Sequence, residues 1–264
     1  MATTHYPYAL GSLLLGIVGL AVGDFALQWQ PVPEALPART ALAYLGGALL
    51  TLAAGASLVP RSAKAGLLTL AGWYALWVML LHAPRVIAKP GDIGLWLGVA
   101  EISLLAAGGL AGAWLMAANW RVGRIRTLEV CLAPCLIVFG WSHFAYADFT
   151  AQMVPRWIPW PLFWAYATGC GHVAAGLSLL TGIASRLASM VFAGMLGSFV
   201  VLLHVPRVIA DPANRIEWTM LAVATSLAGA AWLVARAVRE RHELSLETER
   251  LEPGNPGSAA STSS

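Results

Sequence analysis

The sequence has little charge. Asp, Glu, Lys and Arg make up 11% of its 264 residues, whereas an average soluble domain carries roughly 25%. This shortage argues against an ordinary soluble fold. Hydrophobic residues account for 58%, and apolar stretches of about 20 residues, the length that crosses a bilayer, recur along the chain. The sequence therefore predicts an all-α membrane protein surrounded by the lipid bilayer.

Other signals are missing too. Residues 1–8 contain no Lys or Arg, so we expect the first apolar stretch to be a transmembrane helix and not a cleaved signal peptide. Cys131, Cys135 and Cys170 form no Cys-x-x-Cys pair and no metal-ligand spacing, and we predict no metal site. The net charge of +3 is spread over many loops, which argues against a nucleic-acid partner.

We predict eight transmembrane helices, most of them bounded by Pro or Arg. They lie at about residues 8–28, 40–59, 65–81, 93–117, 128–147, 162–180, 187–203 and 216–235. After Arg236 the chain turns charged and then rich in Gly, Pro, Ser and Ala. We expect residues 237–264 to form a cytoplasmic tail, first charged and then disordered.

An internal repeat is the most specific pattern. The segment LHAPRVIAKP (residues 81–90) returns as LHVPRVIADP (residues 203–212), with eight identities in ten at an offset of 122. Asp24-Phe25 likewise returns as Asp148-Phe149. We predict two four-helix units, residues 1–120 and 121–236. Each unit crosses the membrane an even number of times, so the fold should contain two parallel four-helix repeats about a pseudo-two-fold axis along the membrane normal.

Basic residues predict the orientation. Ten Lys and Arg fall on the side that holds the termini and six on the other side. The positive-inside tendency then puts both termini in the cytoplasm of a bacterial-type inner (plasma) membrane. The Asp-Phe segments and the His-x-Pro-Arg segments lie together on the opposite face.

The His-x-Pro-Arg segments are expected to close the third helix of each unit, because proline ends helices. The residues concerned are His82 and Arg85 in the first unit and His204 and Arg207 in the second. In one interpretation they are helix-end devices, whose arginines pair with lipid phosphate or with Asp24 and Asp148. In the other they form an anion-binding or proton-handling mouth.

The second unit carries polar residues that the first lacks. On its first helix these are His143, Tyr146 and Asp148, and on its second helix Trp164, Thr168 and His172 recur every four residues. His172 should lie ~15 Å into the membrane, where an imidazole is costly unless it is paired. We predict that His172, His143, Tyr146 and Asp148 form a catalytic, proton-handling cluster, with Trp164 and Thr168 binding substrate. The alternative is a neutral imidazole that serves packing alone.

Glu101 breaks the symmetry, since Val223 stands at the corresponding place in the second unit. A carboxylate eight or nine residues into a helix should be protonated or paired. The sequence leaves two partners open, His172 and Arg85. We include Glu101 among the substrate-binding residues, together with Asp24 and the His-x-Pro-Arg residues.

Two loops, residues 29–37 and 152–161, are rich in Trp and Pro. They are typical of an aromatic belt at the membrane interface. A lid over an apolar ligand is the alternative function.

The second unit resembles the DoxX-like family of four-helix membrane proteins. The resemblance rests on HFAYADFTA (residues 143–151), VPRWIP (154–159), Phe163-Trp164, Thr168-Gly169 and His172. The first unit matches more weakly, which makes the chain a tandem fusion. Family members are similar to a subunit of thiosulfate:quinone oxidoreductase, so the resemblance implies a membrane redox system, a quinone and a redox partner protein.

Three functions follow as hypotheses. The first is an inner-membrane redox component that binds a quinone or another small apolar molecule, because quinone chemistry needs a proton donor beside an apolar slot. The second is a permease for a small solute or metabolite, with a midplane site at Glu101 and His172. The third is a non-catalytic membrane scaffold.

Overall fold

The computed structural model describes residues 3–117 and 122–251, and this part of the chain is helical, without strands. The predicted disorder of residues 252–264 lies outside it. Its helices are α1 (Tyr6–Val22), α2 (Arg39–Leu58), α3 (Ala63–Ala88), α4 (Ile93–Leu115), α5 (Val122–Ala145), α6 (Ala147–Met153), α7 (Pro161–Thr181), α8 (Ser185–Ala210) and α9 (Arg215–Leu251). A short 3-10 turn, Leu27–Trp29, follows α1.

Within the described residues, six helices are long and apolar enough to cross a membrane, namely α2, α3, α4, α5, α8 and α9. The chain is therefore a multi-pass membrane protein, as its composition predicts. Of the other two predicted spans, α1 has 17 residues, fewer than the ~20 of a typical span. The other, α7, has 21 residues, but His172 and Thr168 lower its hydropathy.

The prediction that proline ends the third helix of each unit is wrong. One π-helical turn, Val78–His82, precedes Pro84, and the corresponding turn, Val200–His204, precedes Pro206. Each proline then occupies the first turn of a further helical segment. There the missing proline N–H needs no intrahelical acceptor, so the helix continues past it.

Helices α4 and α9 pack against each other at the centre of the bundle. Helix α1 packs on α2 and α9, whereas α5 packs on α7 and α4. The central crossing depends on a small residue, since a Cβ added to Gly108 would lie 2.4 Å from the Cβ of Ala230. Small residues allow such close backbone approach between membrane helices.

A buried ion-pair cluster joins α5 to α9 near the C-terminal end of α9. Glu129 is 1% exposed and accepts hydrogen bonds from Arg126 and Arg241, at 2.9 and 2.8 Å. The charged segment after Arg236 continues α9, and Val238 within it is fully buried. The start of the predicted tail thus packs against the bundle.

Candidate functional site

A cavity of about 760 Å³ lies between α4, α5, α7, α8 and α9, with α6 and the loop after it along one side. Its walls are mainly apolar. The predicted residues that line it are Glu101, His143, Tyr146, Trp164, Thr168, His172 and His204. A mostly apolar cavity with a few convergent polar groups is the usual form of a small-molecule site.

Two imidazoles meet at the cavity wall. The rings of His143 on α5 and His172 on α7 lie 4.9 Å apart between centroids. Phe139 and Phe192 pack edge-on against His172, which is 2% exposed. Nδ1 of His172 is buried and has no hydrogen-bond partner among the described residues. As predicted, His172 faces the bundle interior.

Thr168 orients the imidazole of His143. Its hydroxyl lies 2.9 Å from Nδ1 of His143 and 2.7 Å from the carbonyl oxygen of Trp164, one turn earlier on α7. The spacing of four residues puts Trp164, Thr168 and His172 on one helical face. Gly169 brings α7 close to α5, because a Cβ there would lie 2.5 Å from the ring of Phe144.

Glu101 enters the same cavity from α4, but its hydrogen-bond partner is neither of the two predicted. Nε1 of Trp29 donates to Oε2 of Glu101 at 2.8 Å. Val223, which stands 122 residues after Glu101, lines the cavity as well. Residues from both halves of the chain thus build one site.

Trp29 is a cavity residue that the sequence pattern did not predict. It is 5% exposed and lines the cavity, and its carbonyl oxygen lies 3.1 Å from Nε2 of the buried His82. His82 itself is buried but does not line the cavity. In the sequence, the signal for Trp29 was limited to its place in a loop rich in Trp and Pro. In the loop of residues 152–161, Trp157 and Trp160 are exposed.

The remaining predicted residues differ in their surroundings. His204 lines the cavity, and its buried Nδ1 has no partner among the described residues. Tyr146 lines the cavity but is 41% exposed. Asp148 is exposed on α6, outside the lining, so it is not brought to the other three members of the predicted cluster.

The predicted pairing of the two arginines with Asp24 and Asp148 is wrong. Arg207 donates from Nε and Nη2 to the carboxylate of Glu217, both at 2.9 Å, and Arg85 is exposed. Arg207 reaches Glu217 because Glu217 is on α9 beside the end of α8.

Asp24 pairs instead with Arg39 and Arg215. Partial burial of Asp24 raises the pKa of its carboxyl, but the Phe25 amide and the two guanidinium groups outweigh that effect. The pKa of Asp24 therefore lies below its ordinary value.

Residues 126–205 match the family model DoxX. No curated protein and no solved structure matches the chain. The matched range contains His143, Thr168, His172 and His204. Glu101 and Trp29 lie outside it, so the match covers part of the cavity wall.

Proposed function

We propose that the chain is a tandem fusion of two DoxX-like units that crosses a bacterial-type inner membrane eight times, with both termini in the cytoplasm. The repeat relates α1 to α5, α2 to α7, α3 to α8 and α4 to α9. The packing supports this, because the contacts α1–α2, α2–α3, α3–α4 and α1–α9 have the counterparts α5–α7, α7–α8, α8–α9 and α5–α4.

The central crossing supports the same proposal. Gly108 and Ala230, which touch there, stand 122 residues apart, the offset of the sequence repeat. Equivalent residues of two units meet only on the axis that relates the units. Glu101 and Val223, at the same offset, both line the cavity beside this axis.

We propose that the cavity binds a quinone from the bilayer. The observation that carries this is the convergence of three histidines and a carboxyl group on an apolar cavity of about 760 Å³. Apolar walls suit the ring of a quinone, and the imidazoles suit its carbonyl oxygens, which need proton donors and acceptors. Exposed Phe149 and Trp164 belong to the wall, so the ligand can reach the cavity from the lipid.

Several of the polar residues that line the cavity have a role in this proposal. His172 exchanges a proton with the bound quinone, and His143, oriented by Thr168, passes protons toward Tyr146 at the cavity edge. Glu101, held by Trp29, faces the ligand from the other half of the chain. In this proposal a redox partner protein supplies or accepts the electrons, as the resemblance of the second unit to a subunit of thiosulfate:quinone oxidoreductase implies.

Quinone binding is tested by titrating the purified full chain with a short-chain quinone and following tryptophan fluorescence, since Trp29 and Trp164 line the cavity. We expect saturable quenching. His172→Gln should weaken binding about tenfold, the loss of one strong hydrogen bond. The control is His242→Gln, because His242 contacts Ser185 and Arg241 at the other end of α9. The absence of saturable quenching, or equal affinities in all three proteins, rejects the proposal.

A second candidate is a proton-coupled permease, which the presence of Glu101 and His172 in one cavity favours. Transport requires the cavity to open to both sides in turn. In proteoliposomes, a permease should take up small solutes in response to a pH gradient, and Glu101→Gln should abolish that uptake. A quinone-binding protein should show no gradient-dependent uptake in either form.

A further inference from the structure

The first half of the chain has a groove of its own, with a volume of about 830 Å³, between α2 and α3. Its walls are almost entirely apolar, and Leu45, Leu52 and Leu80 on its rim are exposed. Both helices are candidate membrane spans. The groove therefore opens toward lipid.

The groove corresponds by the repeat to the histidine-lined cavity but has different chemistry. Gly46 stands where the second half has Thr168, and Leu50 where it has His172. The residues that line the groove include no histidine and no carboxylic acid that could give a proton to a quinone headgroup. The walls of the groove fit a hydrocarbon chain instead.

Two arginines stand at one end of the groove. Phe25 lines the groove, and the guanidinium of Arg39 lies 5.2 Å from the centre of its ring. Arg215 donates to the carbonyl oxygen of Phe25 at 3.1 Å, and both arginines bond to Asp24. Two cations and one carboxylate leave an excess of one positive charge. The side chains of Arg39 and Arg215 keep 26% and 33% of their surface exposed.

We propose that this groove binds an anionic phospholipid, with one acyl chain between α2 and α3 and the phosphate at Arg39 and Arg215. The length of the groove agrees with the depth of one leaflet. From Leu42 to Leu52, both on the groove wall, α2 rises ~15 Å at 1.5 Å per residue. This is half of the ~30 Å hydrocarbon core, or the depth of one leaflet.

The charge explains why the lipid is anionic. Arginine binds phosphate through several N–H groups in a fixed fork. Arg39 is the first residue of α2 and Arg215 the first of α9, so both stand where their helices enter the membrane. A zwitterionic headgroup adds its own cation to a cluster that is already positive. The site does not depend on quinone binding in the other cavity.

The test uses the full chain in detergent after removal of native lipid. Phosphatidylglycerol, phosphatidylcholine with the same acyl chains, or inorganic phosphate is added back, and the thermal midpoint is measured. We expect phosphatidylglycerol to raise the midpoint by about 4 °C, because a ligand that binds only the folded state stabilises it. The other two additions should raise it much less. Native mass spectrometry should show one retained lipid molecule.

Two variants fill the groove, Gly46→Phe and Ala48→Phe, and both should lose the phosphatidylglycerol effect. Their control is Gly55→Phe on the same helix, where an added Cβ meets nothing within 4 Å, and it should keep the effect. Should Gly46→Phe fail to fold, Ala48→Phe decides alone, because Ala48 is only half-buried. Equal stabilisation by both lipids, by phosphate alone, or in the Ala48→Phe variant overturns the proposal.

Discussion

His172 illustrates what an imidazole requires inside a membrane bundle. Its ring is enclosed by Phe139, Phe192 and His143, and its Nδ1 has no acceptor or donor among the described residues. A buried polar atom without a hydrogen bond costs about 1–3 kcal/mol. A residue chosen only for packing would avoid this cost, so the unpaired nitrogen favours a role in ligand binding.

Asp24 provides a pH-dependent prediction. The pKa of Asp24 is lower in the folded protein than in the unfolded chain, so its ion pairs stabilise the fold above the ordinary value of 3.8. That stability should disappear as the pH falls through the lowered pKa. Asp24→Asn should therefore be less stable than the wild type at about pH 6, and the difference should shrink toward about pH 3.

The measurement is the thermal midpoint of both proteins across that pH range. Asp148→Asn is the matched control, because Asp148 follows the corresponding helix of the second half but is exposed. It should change the midpoint little at any pH. A difference between Asp24→Asn and wild type that stays constant down to about pH 3 contradicts the prediction.

At the residue scale, the sequence predicts the surroundings of a side chain where its position along one helix decides them. The shared face of His172 and Thr168 follows from helical periodicity, and both residues line the cavity. The partner of Glu101 was missed because Trp29 is 72 residues away in sequence. Which loop residue folds back onto a helix depends on tertiary packing, which periodicity does not encode.

At the scale of elements, the two π turns change the structural interpretation of the His-x-Pro-Arg segments. A π turn inserts one extra residue into a helix and often marks a functional position. Here each turn ends in a histidine, His82 or His204. The proline suggested a helix end, and one sequence offers no separate signal for a π turn. The two segments nevertheless share one local structure, in keeping with their eight identities in ten.

The cluster around Glu129 carries a prediction about helix packing. Glu129→Gln removes the carboxylate that holds Arg126 on its own helix and Arg241 on α9. Removing one partner from a buried ion pair leaves uncompensated charge, at a cost of about 3–5 kcal/mol. We expect a large fall in the denaturant midpoint of unfolding. Quinone affinity at low denaturant should persist, because these residues do not line the cavity.

The control is Glu243→Gln, which breaks an exposed pair with Arg239 on the same helix. Exposed pairs of this kind contribute ~0.3–0.5 kcal/mol, so the midpoint should hardly move. Similar effects of the two substitutions would indicate that Glu129 contributes no more than a surface charge.

At the scale of the whole molecule, the crossing of α4 and α9 joins the two halves and frames the cavity. Residues on these two helices, among them Glu101 and Val223, face the same ligand space. The sequence repeat predicted two related units and a pseudo-two-fold axis. It could not predict that α1 packs on α9 and α5 on α4, because the repeat is equally compatible with self-contained units.

Gly108→Ala tests the crossing. The added Cβ would lie 2.4 Å from the Cβ and 2.6 Å from the Cα of Ala230, so α4 and α9 must move apart. We expect a loss of about 1–3 kcal/mol, typical of overpacking, and weaker quinone binding. Gly55→Ala makes the same chemical change where a Cβ meets nothing, and it should stabilise its helix by up to about 1 kcal/mol. We expect the two unfolding midpoints to shift in opposite directions, because the α4–α9 crossing leaves no room for a methyl group at Gly108. Equal shifts would mean that the two halves are held together elsewhere.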